Sequence, residues 1–153
     1  MIQFDEYGYV VPYNVVETDL ETLEKVFVTN EHRKELFSQY LEYLERLKEM
    51  ELGSFFQWVD GSFIGRSKEH PRDIDLVSFI DYERHETNKK RLIALRGLYP
   101  KLDCYVGSIF PEEHELHSNY KTDRVYWLHQ FTKTRLNRHT KKSFDKGIVQ
   151  LNF

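Results

Sequence analysis

With 153 residues, 40% of them hydrophobic and 15% aromatic, the chain has enough apolar material for one core and too little length for several domains. Lys plus Arg number 22 and Asp plus Glu 25, a net charge of −3 that by itself selects no polyanionic partner. The single cysteine, Cys104, excludes an internal disulfide and fits a reducing cytoplasm, and neither a secretory signal nor the roughly 20 apolar residues of a membrane helix can be found.

The first dozen residues read as extended up to Pro12. Thr18 and Glu21 have the spacing of a capping box, in which hydroxyl and carboxylate satisfy each other's backbone donors, and predict a helix over Leu20–Phe27. Phe37, Tyr40, Leu41, Leu44 and Leu47 recur at three- and four-residue steps, which predicts an amphipathic helix from about Asn30, closed by Gly53. Phe55–Asp60 is aromatic and β-branched and reads as a strand; Gly61 and Ser62 turn the chain, and Ser67–Arg72 with Pro71 reads as a loop.

Asp73–Ile80 alternates. Ile74, Leu76, Ser78 and Ile80 fall on one face, and Asp73, Asp75, Val77 and Phe79 on the other. Thr87–Tyr99 reads as a helix with Leu92, Ile93, Leu95 and Leu98 inward, ended by Pro100. Leu102–Phe110 reads as a third strand, Asp123–Arg135 as a helix through Val125, Leu128 and Phe131, and Gly147–Phe153 as a final strand. The expected order is α-α-β-β-α-β-α-β, an α+β chain with helices packed on a central mixed α/β-type sheet. Residues 1–153 form a single unit with a helical part (1–52), a core (55–106) and a basic C-terminal helix and strand (121–153).

Charge is unevenly spread. From Lys121 onward there are eight Lys/Arg and two acids, Asp123 and Asp145, a net +6 that leaves −9 to residues 1–120. Such a tail either attracts a polyanion or forms a solvated surface.

Asp73 and Asp75 sit two apart on a strand, with Cα atoms roughly 6.5–7 Å apart on one face. Bare carboxylates at that distance repel by roughly 2 kcal/mol at an effective dielectric near 20. A basic partner, solvent at the strand start or a metal ion would offset this. The preceding strand ends in Gly61–Ser62, where glycine allows close backbone approach to a phosphate and the hydroxyl and turn N–H groups can donate to it. Asp103 stands in the following strand and would adjoin the pair if the two strands are neighbours. Three carboxylates without His or Cys favour a hard cation such as Mg²⁺. Arg66, Lys68 and Arg72 flank the same loop and are candidates for contacting phosphate.

Gly-Ser, a ten-residue gap (Phe63–Arg72), Asp-x-Asp in a strand and a third Asp one strand later resemble the polymerase-beta-like nucleotidyltransferase superfamily. "GSFIGRS" is similar to its glycine–serine start followed by an arginine, here Arg66, one residue later than in many minimal members. Asp60 stands where the family is often apolar. The wider order, with Trp127 in a late helix and a terminal "KGIVQLNF", resembles short bacterial nucleotidyltransferase-like proteins of unassigned function. The resemblance implies a minimal nucleotidyltransferase fold. Asp73 and Asp75 would hold Mg²⁺ (or Mn²⁺) on a nucleoside triphosphate, Asp103 would help hold a second ion and activate an acceptor hydroxyl, and Gly61 and Ser62 would grip the β- and γ-phosphates. A nucleoside monophosphate would pass to a hydroxyl of a protein, an RNA or a small molecule, in a toxin–antitoxin or defence setting. The alternative is a non-catalytic nucleotide-binding or antitoxin-like regulatory module acting with a small helical protein partner.

Other features carry less. His114 and His117, three apart among Glu113 and Glu115, have helix-face metal spacing but no third ligand nearby. His70 reads as a solvated loop histidine or one that approaches a phosphate, Lys141, Lys142 and Lys146 as a surface charge run or as contacts to substrate or RNA, Cys104 as a small buried residue, and Trp58 and Trp127 as core or base-stacking residues. An Asp-x-Asp glycosyltransferase needs a larger nucleotide-binding domain and leaves Gly61–Ser62 unexplained.

Overall fold

A computed structural model describes residues 1–153. The elements run β1 (Gln3–Phe4), β2 (Val10–Val11), β3 (Val15–Glu17), α1 (Leu20–Phe27), α2 (Glu31–Lys48), β4 (Phe56–Asp60), β5 (Ile74–Asp81), α3 (Tyr82–Leu98), β6 (Leu102–Ile109), α4 (His117–Phe131) and β7 (Ile148–Asn152). The fold is α+β, a five-stranded mixed sheet in the order β3-β7-β4-β5-β6 with four helices packed on it, plus a small β1–β2 hairpin. The β4–β5 and β4–β7 pairs are antiparallel; β5–β6 and β3–β7 are parallel. No helix is long and apolar enough to cross a membrane.

The alternation in β5 decides which side of the sheet each layer covers. Ile74, Leu76 and Ile80 join Leu36, Phe37 and Leu44 of α2 and Leu92 and Leu95 of α3 in the main core. Val77 and Phe79 face the other way, into a smaller cluster with Trp58, Ile148 and Phe131 of α4. Asp73 and Asp75 therefore belong to the α4 side, at the end of the sheet where the apolar filling stops.

Several local expectations are corrected. The α1 cap is Asp19, whose carboxylate accepts from the Thr22 N–H at 2.7 Å, rather than a Thr18–Glu21 box; a carboxylate is well placed at the positive end of the helix. Asn30 caps α2 by accepting from the Arg33 N–H, but α2 stops at Lys48, and Gly53 lies beyond the turn at residues 49–51 that follows it. Helix α3 starts at Tyr82 because Asp81 both ends β5 and accepts from the Arg84 N–H. Its buried stripe is Asn88, Leu92 and Leu95, leaving Ile93 and Leu98 exposed. Helix α4 starts at His117, and Val125 points to solvent. The edge strand β3 was not foreseen: three residues are too few to show alternation, and only pairing with β7 makes them a strand.

Candidate active site at the acidic end of the sheet

Pairing register assembles the floor of the site. Asp60 at the end of β4 pairs with Asp75 in β5, and Asp75 pairs with Asp103 in β6. Residues paired across neighbouring strands point to the same face, so three carboxylates form a row, with Asp73 two residues before Asp75 on the same side. Gly61 follows Asp60 with φ +84°, a conformation that strains any side-chain-bearing residue. A Cβ here would also collide with the Asp75 carboxylate, so the glycine is what lets Asp75 lie against the turn. The Ile64 N–H donates to the Gly61 carbonyl at 3.1 Å and closes the turn.

The loop that follows is held from beneath by Arg33 of α2, only 2% exposed. Its guanidinium donates to the carbonyls of Phe27 (3.0 Å), Phe63 (2.8 Å), Gly65 (3.1 Å), Lys68 (2.5 Å) and Glu69 (3.2 Å), with a longer approach to Ser62 at 3.4 Å. The Asn30 side chain donates to the Glu69 carbonyl, and His32 Nε2 sits 2.5 Å from that of Pro71. The first turn of α2 thus fixes the phosphate-loop candidate, because a planar five-donor fork suits several carbonyls at once. Burial lowers the Arg33 pKa, yet an ordinary guanidinium value is high enough for it to remain a cation.

A cleft of about 930 Å³ opens over the floor, within the size range of small-molecule sites. Gly61, Ser62, Lys68 and Arg72 line one side, Tyr126, Trp127 and Gln130 of α4 another, and Lys133, Arg135 and Lys146 a third. Asp73, Asp75 and Asp103 line it as well. Arg66 does not: its guanidinium lies 4.0 Å from the Phe4 ring centroid, and its N–H donates to the Gly8 carbonyl. The loop packs onto the β1–β2 hairpin at that point, which carries Arg66 away from the cleft.

The electrostatics are those of an under-neutralised acidic floor. Burial, then the charges of Asp73, Asp60 and Asp103, raise the Asp75 pKa to about 6, with Lys146 opposing. Burial also raises the Asp60 pKa against the pull of Lys146. Lys146 Nζ lies 2.8 Å from Asp60 Oδ1, both groups buried; the ammonium is at ion-pair distance but outside good hydrogen-bond alignment, which leaves that oxygen without an aligned donor. Asp103 is half-exposed; Tyr105 Oη donates to it at 3.0 Å and Arg96 lies 3.4 Å away.

The donor set is all oxygen and negatively charged, so it fits a hard cation. The side chains do not converge three at a time on one point, since Asp103 turns toward Arg96 and Tyr105. Mg²⁺ typically needs only one or two carboxylates when phosphates and water complete its shell, and Asp73 and Asp75 meet that requirement.

Three residues of the site were not singled out from the sequence as site residues. Asp60 reads as the polar end of an apolar strand, although an acid directly before a Gly-Ser turn is a signal. Lys146 reads only as one of a group with Lys141 and Lys142, a surface run or contacts to substrate or RNA; it is buried, while those two are exposed. Arg33 stands three and four residues before Leu36 and Phe37, on the apolar stripe of α2, where an arginine must find buried acceptors. Of the remaining candidates, Trp127 lines the cleft. Trp58 is buried and its Nε1–H donates to Gln150. His70 stays in an exposed loop beside His32. His117 Nδ1 faces the Phe110 carbonyl and His114 Nδ1 accepts from the Leu116 N–H, so the two are engaged with backbone. Cys104 is buried as expected.

Fold and cleft together define an α+β protein with a carboxylate row at one sheet end, a glycine–serine turn beside it and a basic rim. The chain belongs to DUF6932, a family of unknown function, whose model matches residues 2–152. No curated protein and no solved structure matches it.

Proposed function

We propose that the protein is a Mg²⁺-dependent nucleotidyltransferase of the polymerase-beta-like kind, moving a nucleoside monophosphate from a nucleoside triphosphate to an acceptor hydroxyl. The observation that carries this reading is one cleft lined at once by Gly61–Ser62, by Asp73, Asp75 and Asp103, and by Lys68 and Arg72. The buried cysteine accords with a cytoplasmic setting.

The Ser62 hydroxyl and the N–H groups of the turn would donate to the triphosphate, and Lys68 and Arg72 would balance its charge. Asp73 and Asp75 would hold Mg²⁺ (or Mn²⁺), and Asp103 would help hold a second ion; the bound metal supplies charge neutralisation and polarisation at the α-phosphate. Asp103, half-exposed at the edge of the register row, would accept the proton of the attacking hydroxyl. A bond forms between the acceptor oxygen and the α-phosphorus, the bond to the bridging oxygen breaks, and pyrophosphate leaves. The protein contributes positioning and electrostatics.

Asp73→Ala is expected to abolish NTP-dependent labelling of an acceptor while the circular dichroism spectrum is kept. Unchanged labelling by that variant removes the assignment. One observation favours a second reading, a nucleotide-binding or regulatory module acting with a small helical protein: Asp103 is already engaged by Arg96 and Tyr105. Nucleotide binding by calorimetry, with no mass increment on any partner or acceptor, would select it.

A further inference from the structure

Between α4 and β7 the chain makes a closed excursion. The Lys146 N–H donates to the Thr132 carbonyl at 2.8 Å, Lys133 bridges Asp145, and the Thr134 N–H donates to the Phe144 carbonyl at 2.8 Å. At the tip, the Asn137 carboxamide oxygen accepts from the N–H groups of His139 and Thr140, and Lys141 adopts φ +57°. Residues 133–145 are therefore an arm whose two ends meet beside the cleft.

Its charge has one sign. The only acid, Asp145, is paired with Lys133 at 2.8 Å. Arg135, Arg138, Lys141 and Lys142 are exposed and take part in no ion pair. A solvated face usually mixes signs, as α2 does with Glu45 and Lys48. Here four free cations lead down to a root, Lys133 to Arg135, that lines the cleft. Aromatic faces stand at the same place. Exposed Phe144 packs at 5.0 Å from exposed Tyr7, and Tyr126 and Trp127 line the neighbouring wall.

We infer that the arm is a docking surface for single-stranded nucleic acid and delivers its 3′-terminal hydroxyl to the cleft as acceptor; the acceptor role rests on the nucleotidyltransferase reading. Free cations would track successive phosphates, and aromatic rings would stack unpaired bases, which is the recognition chemistry of single strands. An acidic protein would match the charge but make no use of the rings. The 3′ hydroxyl attacks the α-phosphorus, a phosphodiester forms, pyrophosphate leaves and the proton passes to Asp103, so the strand grows by one nucleotide.

The test is fluorescence anisotropy of a short labelled single-stranded RNA, the same sequence as DNA, and polyglutamate, against the whole protein across a salt series without nucleotide. The expected result is RNA binding with a log–log salt slope of about −3, from about −0.7 per neutralised phosphate and four cations. Neutralising the tip (R138A/K141A/K142A) should weaken binding by about tenfold or more and make that slope shallower by about 2. Removing charge elsewhere (K89A/K90A on the exposed side of α3) should leave it unchanged. Equal binding of DNA supports docking through the chemistry both strands share. Comparable binding of polyglutamate, no RNA binding, or an unchanged tip variant overturns the inference. An α-labelled NTP with Mg²⁺ and the same RNA then tests delivery. Label on the RNA, lost when its 3′ end is blocked, supports it, and label on protein alone overturns it while leaving the nucleotidyltransferase reading intact. If no nucleotide binds or transfers under any condition, the nucleotidyltransferase reading and the acceptor role fall together, and docking is decided by anisotropy alone.

Discussion

Two buried cations frame the cleft and are satisfied in opposite ways. Arg33 lies among backbone carbonyls with no acid beside it, whereas Lys146 faces a single carboxylate, Asp60. The first arrangement spreads one charge over many dipoles and fixes the shape of a loop. The second places one ammonium against a row of acids and sets the charge of a floor. On the proposed nucleotidyltransferase reading, a loop that presents its backbone to phosphate needs geometry, and a planar fork with five donors supplies it. On the same reading, a floor that receives cations needs residual negative charge, and Lys146 on Asp60 with Arg96 on Asp103 leaves Asp73 and Asp75 without a basic ion-pair partner.

The largest effect should come from Arg33→Met. Several carbonyls lose their donor together, and we expect a loss of about 4 kcal/mol or more in urea unfolding. Arg33→Lys should recover only part, since a compact ammonium cannot span the fork. A loss under about 1 kcal/mol would show that water replaces the guanidinium and that the contrast with Lys146 is false. Next, Lys146→Met strands Asp60, and breaking such a pair costs about 3 kcal/mol. Adding Asp60→Asn should restore much of that, and a double-mutant cycle with no coupling would deny the pair any energetic role.

Asp75→Asn should move stability the other way. The folded-state pKa of Asp75 is about 6, above the usual carboxylate range, so its contribution is fully present below about pH 4 and lost as pH rises through 6. The variant should therefore be more stable than wild type by about 2 kcal/mol at pH 8, with the gain gone by pH 4 and transfer abolished. Parallel pH–stability curves would mean that the floor is already neutralised. The smallest effect is expected for Tyr105→Phe, which removes one donor from half-exposed Asp103. Stability should change by under about 1 kcal/mol, measured by thermal unfolding. Transfer should rise if the tyrosine restrains the acid and stay level if it does not.

These contrasts separate what a linear chain displays from what it conceals. The strand read at Asp73–Ile80, observed as Ile74–Asp81, and its two faces were legible because alternation is local, and the apolar stripe of α2 was legible for the same reason. Gly61 and Ser62 stood out as a turn, and the two-residue step from Asp73 to Asp75 placed both on one face. Arg66 misled because its place in the motif says nothing of the β1–β2 hairpin that attracts it. Ile93 misled because an apolar residue fits a helical period on more than one face, and packing chooses among them.

What the sequence determined by itself, then, is the run of elements from α1 to β7, their periodicity and an acidic strand start beside a glycine–serine turn. The tertiary structure alone decided that Asp60 shares a register row with Asp75 and Asp103, that Lys146 reaches it from the far end of the chain, and that Arg33 lies beneath the loop. The physical reason is range. Backbone preference and amphipathic period act over a few residues, whereas strand register and the pairing of buried charges are settled only when distant segments leave water together.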